Sequence, residues 1–259
     1  MTDCLTKPAT FARIAGRAAL VTGAAGGISR AIVAALVAEG VNVLATDLDE
    51  GALESLRESP AARAQVAVLA GDLSRVEEPQ RLVSHAVGLF GGLDILVNNA
   101  GRIIRRDFRE ADAQEWEQMF SVNLRAAFFL AQHASRSMTA RGWGRIVNLS
   151  SQSGHTGGVA DCPIYAITKG GLMTMTRALT RSLAPDGVTV NAIAPGVVMT
   201  EMISGTLSKD QVAGLINAIP VRRASETTEI ADAVVFLASE RSATITGHVL
   251  DINGGMVMR

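Results

Sequence analysis

The sequence predicts an α/β fold built on one parallel sheet with helices on both faces. Two observations predict it. Short apolar runs alternate along the chain with longer, helix-length segments. Most of these runs also lack the alternation of polar and apolar residues that is typical of a half-exposed strand. Strands that are buried on both faces and separated by helices form a doubly wound parallel sheet.

The predicted elements follow one another in regular order. The strands cover residues 18–23, 41–46, 65–70, 94–98, 145–150, 188–194 and 248–252, which gives a sheet of about seven strands. The main helices between them cover residues 27–39, 75–90, 112–139, 165–184 and 228–239. No linker, repeat or low-complexity tract interrupts this order. We therefore expect an N-terminal arm over residues 1–15 and a single domain over residues 16–259.

Composition excludes several classes of protein. Hydrophobic residues make up 48% of the 259 residues and charged residues 19%, which excludes a disordered or fibrous chain. The net charge of −1 favours neither nucleic acid nor an anionic membrane. No apolar run reaches the ~18 residues that a membrane span needs. Cys4 and Cys162 fit no zinc spacing and no disulfide framework. We expect a cytoplasmic protein with no metal site, no nucleic-acid partner and no membrane partner.

A glycine-rich loop follows the first predicted strand, on the side of the sheet where doubly wound folds bind their ligands. Gly23 permits a tight turn, and Gly26 and Gly27 let the backbone approach a diphosphate closely. The helix that follows offers the free N–H groups of its first residues, Gly27 and Ile28, and the positive end of its dipole. The loop therefore predicts a dinucleotide site rather than a plain turn.

Asp47 ends the second predicted strand, close to the ~20-residue offset expected for the acid that binds an adenosine ribose. Its carboxylate would accept hydrogen bonds from the 2′- and 3′-hydroxyls and repel a 2′-phosphate. No Arg or Lys lies inside the glycine loop or directly after Asp47 to hold such a phosphate. These features predict NAD(H) rather than NADP(H). The alternative interpretation is that Asp47 caps the helix beginning near Glu50.

Taken together, the motifs resemble those of the short-chain dehydrogenase/reductase family, from about residue 18 to residue 256. The glycine loop matches the family pattern except that Ser29 replaces its last glycine, and an N-N-A-G segment ends at Gly101. Tyr165 and Lys169 match its Y-x-x-x-K pair. The resemblance implies a Rossmann-type fold, a small-molecule alcohol or ketone substrate, and a homotetramer. It places catalytic roles on Asn123, Ser151, Tyr165 and Lys169, and further cofactor contacts on Asp72, Leu73, Asn99, Ala100, Gly101, Tyr165, Lys169, Pro195, Gly196, Val198 and Thr200.

The chemistry of these residues agrees with the resemblance. Tyr165 and Lys169 share one helix face, and a cation at ~6 Å favours tyrosinate by about two pKa units. A tyrosine shifted in this way acts as a general acid or base. The family role of Ser151 is to stabilise charge on the reacting oxygen, and that of Asn123 is to hold a water beside Lys169. Ser150 and Ser153 remain alternatives to Ser151.

Substrate identity has the weakest sequence signal. Arg105 follows the N-N-A-G segment as in family members that oxidise sugar acids, where an arginine pairs with a carboxylate; the alternative is a solvated basic turn. Ser153, His155 and Met202 are expected to line the pocket, and residues 200–217 to form a lid. We expect a polyol or sugar acid, with a 3-oxoacyl thioester or other ketone as the alternative. A non-catalytic NAD-binding regulator, or an enzyme that uses transient redox for epimerisation or elimination, is the alternative of another class.

Overall fold

The computed structural model describes residues 12–158, 161–200 and 209–259. Residues 1–11 of the predicted arm and residues 201–208 of the predicted lid lie outside the described residues, and so do Cys4 and Met202.

Seven parallel strands form one sheet, which confirms the predicted fold class. Their order is β3-β2-β1-β4-β5-β6-β7, so the order along the sheet reverses between β1 and β4. Ligands of such sheets bind beyond the carboxyl ends of the strands at this reversal. The strands are β1 (Ala18–Thr22), β2 (Asn42–Asp47), β3 (Val66–Ala70), β4 (Ile95–Asn98), β5 (Gly144–Leu149), β6 (Val188–Pro195) and β7 (Val249–Ile252).

Helices cover both faces of the sheet, and the side chains of β1 show how. Val21 packs on one face in a core with helices α1 and α10, whereas Leu20 packs on the other face in a core with α4 and α6. Successive residues of a strand point to opposite faces, so one strand serves both cores. The helices are α1 (Gly27–Ala38), α2 (Glu50–Glu54), α3 (Pro60–Gln65), α4 (Glu78–Phe90), α5 (Ala113–Phe120), α6 (Ala126–Ala140), α7 (Ser153–Thr156), α8 (Pro163–Leu183), α9 (Lys209–Ala218) and α10 (Thr227–Ala238).

The predicted helix over residues 112–139 differs from the structure in its middle. A π turn over Ser121–Arg125 separates α5 from α6. Such turns occur mostly as single insertions in α-helices and are frequent at functional sites, but they leave the apolar period of the flanking helices intact. The sequence pattern therefore gives no sign of it. The pattern also missed α2, α3, α7 and α9, of which α2, α3 and α7 are too short to show a helical period. None of the described helices is long and apolar enough to cross a membrane.

Candidate active site

A cleft of about 810 Å³ opens where the strand order reverses. It is bordered by the loops that follow β1, β2, β3 and β4, and its volume lies within the range of about 300–1,000 Å³ that ligand pockets occupy. Several residues predicted to bind a dinucleotide line it together: Gly23, Asp47, Asp72, Leu73, Ala100 and Gly101.

The glycine loop and the loop after β4 are locked together. The Thr22 hydroxyl accepts hydrogen bonds from the backbone N–H groups of Asn99 and Ala100, at 3.2 and 3.1 Å. Gly23 has a φ of +64°, and a Cβ at this position would lie 2.8 Å from the Ala100 Cα. Only glycine tolerates both the left-handed backbone and this close approach. The two loops therefore form one continuous wall of the cleft.

Helix α1 begins at this wall with its first N–H groups free of a side-chain cap. Gly26 is the N-cap residue, its position provides no side-chain cap among the residues that the structure describes, and no acidic residue lies in the first turn. An uncapped N-terminus beside a cleft is suited to an anion such as a diphosphate. Ser29, in place of the expected glycine, is fully buried, and its hydroxyl donates to the Thr22 carbonyl at 3.5 Å. The helix therefore accommodates the serine next to β1.

Asp47 lies at the end of the cleft formed by β2. Its Oδ2 accepts from the Ala25 N–H at 3.0 Å and its Oδ1 from the Leu48 N–H at 2.7 Å. The alternative interpretation of Asp47 as a helix cap is wrong, because the N-cap of α2 is Asp49, which accepts from the Ala52 N–H. The carboxylate of Asp47 instead joins the glycine loop to the carboxyl end of β2.

Arg30 is a cation close to this end of the cleft. Its Nε donates to the Ala25 carbonyl at 2.9 Å, and its other guanidinium nitrogens donate to the Ser55 hydroxyl and the Ala52 carbonyl, at 2.7 and 3.1 Å. The guanidinium is therefore held by hydrogen bonds to the glycine loop and to the segment around α2.

The loop after β3 carries Asp72 and Leu73, the predicted adenine contacts. The Ser74 N–H donates to Asp72 Oδ1 at 2.9 Å, and hydrogen bonds from Ser74 hold the pKa of the Asp72 carboxyl below its usual value. Leu73 is buried, with 7% of its surface exposed. The carboxylate is therefore ionised and fixed in direction at the edge of the cleft.

Lys169 is a buried ammonium beside Tyr165. Its Nζ donates to the Leu149 carbonyl at 2.7 Å and lies 5.5 Å from the centre of the Tyr165 ring. Burial lowers the pKa of Lys169 to about 8. At pH 7 the group therefore still carries its proton in most molecules, as the sequence argument requires.

The pKa of Tyr165 moves in the direction opposite to the one expected from the sequence. Burial raises it, and a hydrogen bond from the Ser151 side chain opposes that rise. The expectation considered only the attraction of the Lys169 ammonium for a phenolate. In the folded chain, removal of the phenol from water is the larger effect, because a phenolate loses more hydration than a phenol.

The three candidate serines have different surroundings. Ser151 is the serine whose side chain is hydrogen-bonded to Tyr165, and it also accepts from the Ser153 N–H at 3.1 Å. Ser150 is buried and donates to the Lys169 carbonyl at 2.7 Å. The structure therefore brings Ser151 to the tyrosine, while Ser150 joins β5 to α8.

Asn123 lies in the π turn and is almost completely buried. Its Oδ1 accepts from the Arg102 N–H at 2.7 Å, and its Nδ2 donates to the Arg102 carbonyl at 2.9 Å and to the Thr168 hydroxyl at 3.1 Å. A Cβ on Gly101 would lie 3.4 Å from Lys169 Nζ, so this loop also borders the lysine. Thr168 is a further residue of this hydrogen-bonded group that was not expected from the sequence, and its position directly before Lys169 was the available signal.

The segment after β6 closes the other end of the site. The Gly196 N–H donates to the Ile252 carbonyl at 2.9 Å, and a Cβ on Gly196 would lie 2.8 Å from the Asn253 Cα. Val198 forms an isolated parallel bridge with Ser225. A Cβ on Gly27 would lie 3.6 Å from Thr200 Cγ2. The run from Pro195 to Thr200 therefore reaches from the sheet to the start of α1.

Two of the predicted substrate residues, Arg105 and His155, are paired with carboxylates of other segments. Arg105 Nη1 donates to both carboxylate oxygens of Asp161 at 3.1 Å, and both side chains remain exposed, in agreement with the alternative of a solvated basic turn. His155 Nε2 lies 3.0 Å from Asp251 Oδ1, while Arg259 donates to the other oxygen of Asp251. Ser153 begins the short helix α7 directly after Ser151 and Gln152.

Comparison with known proteins identifies the family. A family model described as enoyl-(acyl carrier protein) reductase matches residues 23–257. The chain is 39% identical to the nodulation protein G of Azospirillum brasilense, over 92% of this chain and 97% of that protein. It is 36% identical to a 3-oxoacyl-(acyl-carrier-protein) reductase of Aquifex aeolicus, over 94% and 98% of the two chains. It is also 39% identical to the L-xylulose reductase of Bos taurus, over 95% and 98%.

Solved structures agree with these relatives. A short-chain dehydrogenase/reductase from Brucella melitensis, titled a glucose/ribitol dehydrogenase, superposes with a TM-score of 0.88 at 33% identity, over 96% of this chain and 99% of that one. A structure from Sinorhizobium meliloti that is described as a short-chain alcohol dehydrogenase also gives a TM-score of 0.88, at 37% identity over 93% of this chain and 96% of that one. The chain belongs to the short-chain dehydrogenase/reductase family, whose oxidoreductases act on CH–OH and ketone groups and typically use a nicotinamide cofactor.

Proposed function

We propose that this protein is an NAD(H)-dependent oxidoreductase that interconverts a secondary alcohol and a ketone, with Tyr165 as general acid and base. One observation carries the proposal: Tyr165 is hydrogen-bonded to Ser151 and lies beside the buried Lys169. Lys169 lies next to the cleft, because Gly101 lines the cleft and a Cβ on Gly101 would lie 3.4 Å from Lys169 Nζ. Hydride transfer is the chemistry that a nicotinamide ring supplies when bound.

The protein groups supply the proton and stabilise charge. In ketone reduction, the Tyr165 hydroxyl donates its proton to the substrate oxygen, and burial favours this protonated form at neutral pH. The Ser151 hydroxyl donates a hydrogen bond to the same oxygen as charge develops on it. The Lys169 ammonium stabilises the phenolate that Tyr165 becomes. Alcohol oxidation needs that phenolate as the base, so we expect the rate of oxidation to increase as the pH rises.

The residues of the cleft fit a dinucleotide. The N–H groups at Gly27 and Ile28 would hold the diphosphate, and Gly26, whose own N–H donates to the Gly23 carbonyl at 3.2 Å, would let the diphosphate approach the loop closely. Asp47 would accept from the adenosine ribose, whereas Tyr165 and Lys169 would bind the second ribose. The remaining contacts fall on the adenine side at Asp72 and Leu73, on the wall at Asn99, Ala100 and Gly101, and on the nicotinamide side at Pro195, Gly196, Val198 and Thr200. In this proposal Asn123 keeps its family role beside Lys169, in addition to anchoring Arg102.

Replacement of Tyr165 tests the mechanism. Tyr165→Phe removes the only tyrosine hydroxyl of the chain and leaves the ring in place. Because general acid–base catalysis contributes about 10²–10⁴-fold, we expect kcat to fall by that amount while the Kd for NADH changes less than about twofold. Steady-state kinetics and fluorescence titration measure the two quantities. A variant that keeps its turnover would exclude Tyr165 as the proton donor.

The choice of NAD(H) over NADP(H) follows from Asp47 and Arg30. A 2′-phosphate would meet the Asp47 carboxylate, and the guanidinium of Arg30 already donates to Ala25, Ala52 and Ser55. Leu48, directly after Asp47, is 70% exposed, so a larger polar side chain fits there without repacking.

A double substitution tests this choice. Asp47→Ala with Leu48→Arg removes the repelling charge and adds a phosphate ligand. We expect the ratio of kcat/KM for NADPH to that for NADH to rise at least about tenfold, equivalent to ~1.4 kcal/mol. Leu48→Arg alone is the matched control and should change the ratio less. Tighter binding of NADPH than of NADH by the unaltered protein, measured by calorimetry, would show that Asp47 is misassigned.

For the substrate we propose a polyol or a sugar-derived ketone. Similarity to L-xylulose reductase and to a structure titled glucose/ribitol dehydrogenase supports it. Similarity to 3-oxoacyl-(acyl-carrier-protein) reductases supports the alternative of a 3-oxoacyl thioester. Recognition of a sugar acid by Arg105 would require its carboxylate to replace that of Asp161.

A substrate panel separates these possibilities. Polyols, ketoses, sugar acids and acetoacetyl thioesters are assayed with NAD(H) by the absorbance of the reduced nicotinamide. We expect the highest kcat/KM for a polyol–ketose pair. A higher value for the thioester would favour the alternative, and dinucleotide binding without turnover of any member would favour a regulator. A changed product with no net change in NADH would indicate epimerisation or elimination.

For the assembly we propose a homotetramer. A groove of about 580 Å³ lies along α5, α6 and α8. Trp116 and Phe128 line it with 39% and 40% of their surfaces exposed, and Trp116 stacks on Phe120 at 4.1 Å. Exposed aromatic side chains around an apolar groove are typical of a protein–protein contact.

Light scattering of the purified protein tests the assembly. We expect the mass of four chains, and Phe128→Asp should reduce it because a carboxylate would be buried in the contact. Circular dichroism checks that the variant is folded. A monomer at micromolar concentration of the unaltered protein would refute the tetramer.

A further inference from the structure

Arg125 forms a long-range contact that the proposed mechanism does not use. It is the last residue of the π turn, and its guanidinium donates to the carbonyl of Ser74 in the loop after β3. A hydrogen bond from a charged guanidinium is stronger than one between neutral groups. The contact therefore holds the loop after β3 against the start of α6.

Ser74 links Arg125 to the predicted adenine side of the cleft. Its carbonyl accepts from Arg125, and its N–H donates to Oδ1 of Asp72, two residues earlier in the chain, at 2.9 Å. Asp72, Leu73, Ser74 and Arg125 all line the same cleft. A shift of Ser74 would therefore move the Asp72 carboxylate directly.

The same π turn braces a second loop. Asn123 holds both backbone polar groups of Arg102 in the loop after β4, at 2.7 and 2.9 Å. One short turn thus fixes two loops of the cleft, each through a side chain that donates to or accepts from backbone groups. Asn123 holds the loop after β4, which borders Lys169, and Arg125 holds the loop after β3, on the predicted adenine side of the cleft.

We propose that Arg125 is a positioning residue for the adenosine half of the dinucleotide. It acts through Ser74 and fixes the direction of the Asp72 carboxylate. The inference rests on the proposed function, because it assigns the loop after β3 to the adenosine. It also explains why an arginine lies in the interior of a helical run whose neighbouring residues serve packing and catalysis.

Two substitutions test the inference by direct binding. Arg125→Ala is expected to raise the Kd for NADH about tenfold, in fluorescence titrations without substrate, and to raise KM for NADH more than it lowers kcat. Arg125→Lys keeps a donor and should recover part of the affinity. Arg136→Ala, at an exposed arginine of α6, is the matched control and should leave the Kd unchanged. A Kd within twofold of the unaltered protein in Arg125→Ala would overturn the inference.

A double-mutant cycle separates positioning from direct contact. If Arg125 acts through Asp72, Arg125→Ala combined with Asp72→Ala should weaken binding by much less than the product of the two single effects. Multiplying effects would mean that Arg125 touches the dinucleotide independently, and would overturn the positioning role. The cycle is measured with whichever of NADH and NADPH binds more tightly, so a wrong cofactor assignment does not affect it.

Hydrogen exchange tests the same contact without any dinucleotide. Amides of residues 72–75 should exchange faster in Arg125→Ala than in the unaltered protein, whereas Arg136→Ala should not differ. Equal exchange in both variants would show that Arg125 does not hold this loop, even if the protein proved to bind no nicotinamide cofactor.

Discussion

The arrangement of the candidate active site depends on Lys169, which joins α8 to the end of β5. Its Nζ donates to the carbonyl of Leu149, the last residue of β5, and its own carbonyl accepts from the hydroxyl of Ser150. In the first hydrogen bond α8 donates to the end of β5, and in the second α8 accepts from the residue that follows β5. They fix the helix against the strand end at two points, and so bring Tyr165 to Ser151.

The opposite part of the site is held by backbone geometry rather than by charge. The Thr22 hydroxyl binds two N–H groups of the loop after β4, and Gly23 brings the two loops into contact. Both features lie at the point where the strand order reverses. Loops on either side of that point belong to different halves of the sheet, so direct contacts between them are needed to make one rigid wall.

Residues within a short motif could be predicted from the sequence, because their neighbours along the chain determine their surroundings. Gly23 and its loop follow directly from the strand–turn–helix pattern. Contacts between distant residues were not predictable. The pairing of His155 with Asp251 and of Arg105 with Asp161 joins separate segments, and the π turn leaves no trace in the apolar period. The pKa of Tyr165 was predicted in the wrong direction because burial depends on the whole fold.

The lowered pKa of Lys169 also has a meaning for stability. The folded chain releases this proton at a pKa of about 8, whereas an unfolded lysine releases it near 10.5. Folding must therefore work against the buried charge below pH 8, and this penalty declines as the pH rises towards 10.5. At neutral pH the protein thus keeps a side chain that weakens its own native state. In the proposed mechanism the same charge stabilises the Tyr165 phenolate, so the activity we propose and the stability of the native state make opposite demands on Lys169.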